Sequence, residues 1–171
     1  MRLECLAACT FLLASGSAIA ADPPADRPIR TMDDLVRLNR CELEELYRHC
    51  AIGCPPSGAV RGRAIVNPGS KSTVAKSKVI AVLWQGKEIT DDTMKNRVLG
   101  LRVVPARVYV GESWLDGKSS IIMDYAGTSK LFGKYRDEVR EVSPGLYLGL
   151  THKRTQANPE LKVFFALDSR K

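Results

Sequence analysis

The sequence predicts an α+β fold: a meandering antiparallel β-barrel or half-barrel preceded by one or two helices. Three observations carry this reading. From Thr93 onward, apolar and polar residues alternate in runs of strand length, the period of a pleated strand with one buried face. Turn sequences separate the runs, notably Asp116-Gly117, Ser143-Pro144-Gly145 and Asn158-Pro159, and these favour tight reversals. Helical periodicity is confined to the first half of the chain. Short strands joined by successive turns build meandering barrels. With 171 residues, 44% of them hydrophobic and 26% charged, the chain can bury a core of its own.

Residues 1–20 read as a secretory signal. Arg2 opens it, a mostly apolar stretch follows, and Ala18-Ile19-Ala20 gives a small-residue cleavage site before Ala21. The apolar stretch is too short for a spanning helix. The lipobox-like Leu6-Ala7-Ala8-Cys9 comes too early to leave an apolar region before it. The expected destination is the periplasm or the medium, with no transmembrane segment after signal removal. Residues 21–30, rich in proline and polar groups, read as a flexible linker. Residues 31–171 are expected to form a single β-rich domain.

The domain should begin with a helix. Thr31 and Asp34 resemble a capping box. Met32, Leu35, Leu38 or Asn39, Leu46 and Cys50 fall roughly on one stripe, with Leu43 beside it. Arg40 and Glu44 are four apart and can pair across the wet face. Gly53 and Pro55-Pro56 end the helix. Cys41, Cys50 and Cys54 remain after signal removal, and an oxidising compartment permits a disulfide. Cys41 and Cys50 lie too far apart within one unbroken helix. Cys50 with Cys54 is feasible where the helix ends, and Cys41 with Cys54 requires the chain to fold back. Cys, His49 and Cys form an incomplete zinc set, so no metal is expected.

Residues 58–67 alternate as a strand and stop at Asn67-Pro68-Gly69. Residues 70–84 suit either a helix or a buried strand. A helix is the reading adopted, capped by Ser70 or Ser72 and giving way near Trp84-Gln85-Gly86-Lys87. Strands are then expected at residues 95–103 and 106–111, with Pro105 between them. Further strands follow at residues 118–125, 134–142, 146–153 and 161–167.

The formal net charge is +7, spread along the chain. Such a surface favours anionic partners, including an anionic envelope surface. The expected export and the lack of an aromatic RNA-binding motif argue against nucleic acid. No dinucleotide fingerprint, phosphate loop or zinc-protease motif occurs, so no cofactor is expected. Neither histidine, His49 or His152, stands in a recognisable nucleophile setting.

The densest charge cluster is Arg136-Asp137-Glu138-Val139-Arg140-Glu141. As a strand it splits into one face with Tyr135, Asp137, Val139 and Glu141, and another with Arg136, Glu138, Arg140 and Val142. If the second face points inward, Glu138 lies inside the barrel between Arg136 and Arg140. A buried charge persists only when paired and hydrogen-bonded, so the cluster would hold an anionic headgroup, tune a carboxylate, or simply fix the sheet. Asp124 closes an apolar strand and is a candidate base or a turn acceptor. Tyr109 and Tyr147 lie mid-strand. The candidate ligand-binding residues are therefore Tyr109, Asp124, Arg136, Glu138, Arg140 and Tyr147.

These residues belong to a wider pattern. Leu46-Tyr47-Arg48, Gly62-Arg63-Ala64-Ile65, Trp84-Gln85-Gly86-Lys87, Ser113-Trp114-Leu115-Asp116-Gly117-Lys118, Asp124-Tyr125 and the run from Arg136 to Val142 leading into Pro144-Gly145-Leu146-Tyr147-Leu148-Gly149 resemble a family of small exported bacterial proteins of uncharacterised function. The resemblance spans most of the chain beyond the signal. It implies a shared, lipocalin-like fold and carries no assigned activity or catalytic residues. On this basis three functions are open. The first is a binding module for a small amphiphilic or anionic ligand, its tail among Val108, Val110, Met123 and Leu148 and its acidic head near Arg136 or Arg140. The second is an enzyme using Asp124 or Glu138 as general base with Tyr109 or Tyr147. The third is a structural envelope protein docked on an anionic surface.

Overall fold

The computed structural model describes residues 28–170. The expected signal, residues 1–20, and most of the expected linker lie outside the described residues. Within them, α1 (Met32–Arg37) and α2 (Arg40–His49) precede β1 (Gly58–Ile65). Then come α3 (Thr73–Leu83), β2 (Trp84–Thr90), β3 (Thr93–Val98), β4 (Leu101–Glu112), β5 (Ser119–Asp124), β6 (Tyr135–Ser143), β7 (Leu146–Lys153) and β8 (Glu160–Asp168). The eight strands close into an antiparallel barrel in sequence order, with β1 pairing with both β2 and β8. Closure removes the free sheet edges that an open meander would expose.

The N-terminal helix is two helices. Leu38 is extended, at φ −69° and ψ 148°, and Asn39 starts a second capping box with Glu42. Each box satisfies backbone N–H groups that a helix start leaves open. The break resets the helical phase, so Leu43, expected beside the stripe, and Tyr47 are the fully buried residues of α2, while Leu46 packs at the edge of the outer core and Cys50 caps the helix.

Two sheet expectations change. Residues 84–90 form a strand that the alternation concealed, because its inner face carries Lys87 next to Ile89. Residues 95–103 are not one strand. A turn at Leu99 and Gly100, both at positive φ, splits them. Pro105 sits inside β4, opposite Lys95 at a bulge in the β3–β4 pairing, where a missing N–H is tolerated.

Two apolar cores result. The inner one fills the barrel with residues such as Val60, Ile89, Met94, Val108, Met123, Val139 and Leu167. The outer one lies between α1–α2 and the sheet, around Leu35, Leu43, Ile65, Leu148 and Phe164. Val108 and Met123 are thus inner residues, Leu148 is an outer one, and Val110 is exposed.

The two barrel ends differ. The chain after α2 closes one of them. Ala51 bridges to Glu141, and Ile52 packs against the inner core. The Glu141 carboxylate accepts the Cys54 N–H at 3.2 Å and the Gly145 N–H at 2.8 Å. The expected disulfide does not form: Cys41, Cys50 and Cys54 are free thiols. Cys50 caps α2 in extended conformation and leads the chain away across the barrel end, where Glu141 fixes Cys54. Burial pushes the Cys50 thiol up to about 11, which disfavours the reactive thiolate.

Candidate functional site

The opposite end opens into a cavity of about 490 Å³ inside the barrel. Strand alternation decides what faces it. Ala64, Trp84, Val98, Val104, Phe132, Tyr135, Val163 and Phe165 supply apolar wall. Small-molecule sites are typically of this size and character, mostly apolar with a few placed polar groups.

Lys162, half-exposed and paired with Glu160, lines the cavity at its open end, and the other polar groups are gathered in one cluster. Lys87 Nζ donates to Asp137 Oδ2 at 2.8 Å, to Tyr125 Oη at 3.0 Å and to Asn96 Oδ1 at 3.1 Å. Tyr125 Oη donates to Asp137 Oδ2 at 2.8 Å, and Thr151 Oγ1 donates to Asp137 Oδ1 at 2.7 Å. Asn96 Nδ2 donates to Tyr125 Oη at 3.1 Å and to the Val104 carbonyl at 3.3 Å. Trp84 Nε1 donates to Asn96 Oδ1 at 2.9 Å. The ammonium also lies 5.3–5.6 Å from the ring centres of Trp84, Tyr125 and Phe165, a range in which aromatic faces attract cations. Burial raises the Tyr125 phenol well above its ordinary value, so it stays a donor.

The cluster is neutral, Lys87 against Asp137, and its donors are all engaged. An ammonium has three N–H bonds and an amide two, and each is accounted for above. Spare capacity remains only on acceptors: Asp137 Oδ1 accepts one bond, and no bond to Thr151 Oγ1 as acceptor is made. A carboxylate oxygen can accept more than one.

The candidate residues chosen from sequence lie elsewhere. Arg136, Glu138 and Arg140 face outward, and Tyr135, Asp137 and Val139 face inward. The outward face is buried too, beneath the β4–β5 loop and α2. Arg140 donates to both Asp116 carboxylate oxygens at 2.7 Å, to the carbonyls of Tyr47, Lys118 and Ser119, and to Ser120 Oγ. Its guanidinium lies 4.4 Å from the Tyr47 ring centre. Asp116 is held below the usual carboxylate range by the Arg140 hydrogen bonds.

Glu138 accepts from Ser113 Oγ at 2.5 Å and from the Trp114 N–H at 3.0 Å. Arg136 and His152 stand 3.7 and 3.5 Å from its Oε1. Burial pulls His152 below its ordinary 6.5, against the attraction of Glu138. The Arg136 and Arg154 guanidiniums lie 4.3 and 5.1 Å from the Trp114 ring centre.

Tyr109 and Asp124 meet on the outside, with Tyr109 Oη donating to Asp124 Oδ2 at 3.1 Å. Arg154 donates to the same oxygen at 2.6 Å. Burial pushes the Asp124 carboxyl up, but the Ala126 N–H and Arg154 outweigh it and the group ends below its ordinary value. That direction opposes a general base at neutral pH. Glu138 is fully enclosed, which bars a substrate from it. Tyr147 faces inward at the closed end, donating to the Cys54 carbonyl at 2.8 Å. None of the six candidates lines the cavity.

The residues that do line its polar part were missed, with a reason. Asp137 and Thr151 share the alternation faces of Val139 and Tyr147, a signal present in the sequence. Lys87 gave none, since lysine is almost never fully buried unless paired.

Fold and cavity together define a closed, eight-stranded antiparallel barrel with an interior site entered from one end. No family model matches the chain, and no curated protein matches it. Among solved structures, a crystal structure of a protein from Thermomonospora curvata is similar with a TM-score of 0.51 and 18% identity, over 79% of this chain and 90% of that one. At such identity the likeness speaks for the barrel fold alone.

Proposed function

We propose that this protein binds one small, largely apolar molecule inside the barrel, and that the polar end of that molecule is a hydrogen-bond donor such as an alcohol. The observation that carries this is the cavity of about 490 Å³ with apolar walls and a neutral polar cluster whose donors are all engaged. A carboxylate placed beside this cluster, away from Lys162 at the open end, would meet acceptors and add an uncompensated buried charge, which is costly. The acidic headgroup expected near Arg136 or Arg140 is therefore replaced by a donor group beside Asp137 and Thr151. The leader read in residues 1–20 would carry the barrel out of the cytoplasm, where a carrier of poorly soluble molecules has use.

The sequence has two tryptophans, and only Trp84 lines the cavity. In a Trp114→Phe variant Trp84 is the sole reporter. Titration of delipidated protein with dodecanol is expected to change its emission saturably, and dodecanoate to bind at least about tenfold more weakly, one buried unpaired interaction being of that order. Val163→Phe, which adds a ring inside the cavity and no second tryptophan, should weaken the response. Failure of both probes to perturb Trp84 would sink the binding reading. Tighter binding of dodecanoate would sink the donor assignment.

A further inference from the structure

The open end carries a second feature, independent of the cavity. α3 is turned the wrong way for a core helix. Its Thr73 and Ser77 are buried against the barrel, and Arg63 Nε donates to Ser77 Oγ at 3.1 Å. Its Val79 and Val82 project outward, Val82 being 68% exposed. The β3–β4 turn adds Leu99 and Leu101, and the β5–β6 loop adds Phe132 and Leu131, the last 76% exposed.

These segments adjoin one another. The Leu99 N–H donates to the Leu83 carbonyl at 2.9 Å, tying the turn to the end of α3. Thr128 Oγ1 donates to the Pro105 carbonyl at 2.8 Å, tying the loop to β4. The up-and-down order places the end of β1, the start of β2, the β3–β4 turn, the β5–β6 loop and the β7–β8 loop at this same end. Phe132, Val98 and Trp84 line the cavity, so the apolar rim surrounds its mouth.

Charge is segregated along the same axis. Residues 66–84, 97–103, 125–134 and 153–162, at the open end, hold ten lysines and arginines and one carboxylate, Glu160, while α1 beside α3 adds Asp33 and Asp34 with Arg37. Residues 50–58, 90–93, 112–119, 143–146 and 168–170, at the closed end, hold five carboxylates and two cations, Lys118 and Arg170. Lys78 lies beside Val79, and Lys130 and Lys134 flank Leu131 and Phe132. Exposed apolar side chains set among cations match an anionic lipid interface, where the former enter the headgroup region and the latter meet phosphate. Contiguous exposed apolar surface of this kind marks an interaction site.

We propose that the open end of the barrel docks on an anionic phospholipid bilayer, with α3, the β3–β4 turn and the β5–β6 loop against the lipid. The mouth of the cavity then faces the membrane, and ligand passes between bilayer and barrel without crossing water. The docking rests on the rim and its charge; the passage of ligand rests on the binding function proposed above.

The test is co-sedimentation of the purified protein with vesicles of phosphatidylcholine alone and of phosphatidylcholine with phosphatidylglycerol in equal parts. Strong binding is expected only to the second. Val82→Glu with Leu131→Glu should weaken it by at least about tenfold, two apolar side chains being kept from the lipid. Val163→Phe should leave docking intact while weakening dodecanol uptake, which separates failure of docking from failure of the ligand reading. Equal binding to both vesicles, an unchanged affinity in the Val82/Leu131 variant, or equally tight binding of a single-stranded oligonucleotide would overturn the proposal.

Discussion

Asp137 and Glu138 are neighbours in β6 and carry the same charge, yet they serve different ends. Asp137 faces the barrel interior and joins a network made almost wholly of side chains: Lys87, Asn96, Tyr125, Thr151 and Trp84. Glu138 faces outward and, with Arg140, ties main chain as well as side chains: the Trp114 N–H and the carbonyls of Tyr47, Lys118 and Ser119, beside Asp116, Ser113 and Ser120. The outer network is a clamp, holding the β4–β5 loop and α2 to the sheet. The inner one holds no loop. It stands at the wall of a cavity, where its arrangement sets what a bound molecule must offer.

The largest expected effect falls on the clamp. Arg140→Met removes the guanidinium that Asp116, Ser120 and three carbonyls share, leaves Asp116 without its charge partner, and should cost about 3–5 kcal/mol in a denaturant melt. Adding Asp116→Asn should not restore this, since the guanidinium's bonds to the Tyr47, Lys118 and Ser119 carbonyls stay lost. A rescue by the second substitution would erase the distinction between the two networks. Lys87→Met should also destabilise, by about 3 kcal/mol, because Asp137 is left charged and buried. Here Lys87→Met with Asp137→Leu should recover most of the loss, since both charges go together and few main-chain groups depend on them. A double variant no more stable than the single one would show that the inner network also carries the fold.

A smaller effect is expected at Gly149, on the inner face of β7. A Cβ there would lie 2.2 Å from the Phe165 ring, so Gly149→Ala should cost about 1–3 kcal/mol through overpacking and narrow the cavity beside Phe165. Unchanged thermal stability would mean that the ring moves freely, and with it the cavity wall.

The smallest effect is that of pH on the outer network. Burial holds native His152 below 6.5, so on acidification the unfolded chain takes up the proton first. His152 therefore contributes stability fully above pH 6.5, and this is lost as pH falls from there through the lower native value. Unfolding midpoints followed from neutral to mildly acidic pH should show this decline in the native protein and a flatter profile in His152→Gln. The same slope in both would assign the decline to other groups.

Much of the architecture could be read along the chain. The turns at Asn67-Pro68-Gly69, Asp116-Gly117 and Ser143-Pro144-Gly145 and the strand in residues 146–153 were legible because turn chemistry and alternation are local. α3 was legible as a helix. Its orientation was not, because Val79, Val82 and Leu83 face outward while Thr73 and Ser77 pack inward, Val74 alone reaching the outer core. β2 was hidden by Lys87, whose burial depends on Asp137, distant in sequence and opposite in space.

The residues of β6 mark the division most plainly. Their alternation determined that two charged faces exist and which residues share each. It could not rank the faces, because both are buried: one by barrel closure, the other by α2 and the β4–β5 loop. Hydrophobic patterning separates inside from outside only where one side meets water. Tertiary structure therefore decided that Asp137 stands at the cavity and Glu138 in the clamp. It likewise decided which barrel end is plugged and which is open, since that follows from where the segment after α2 comes to rest.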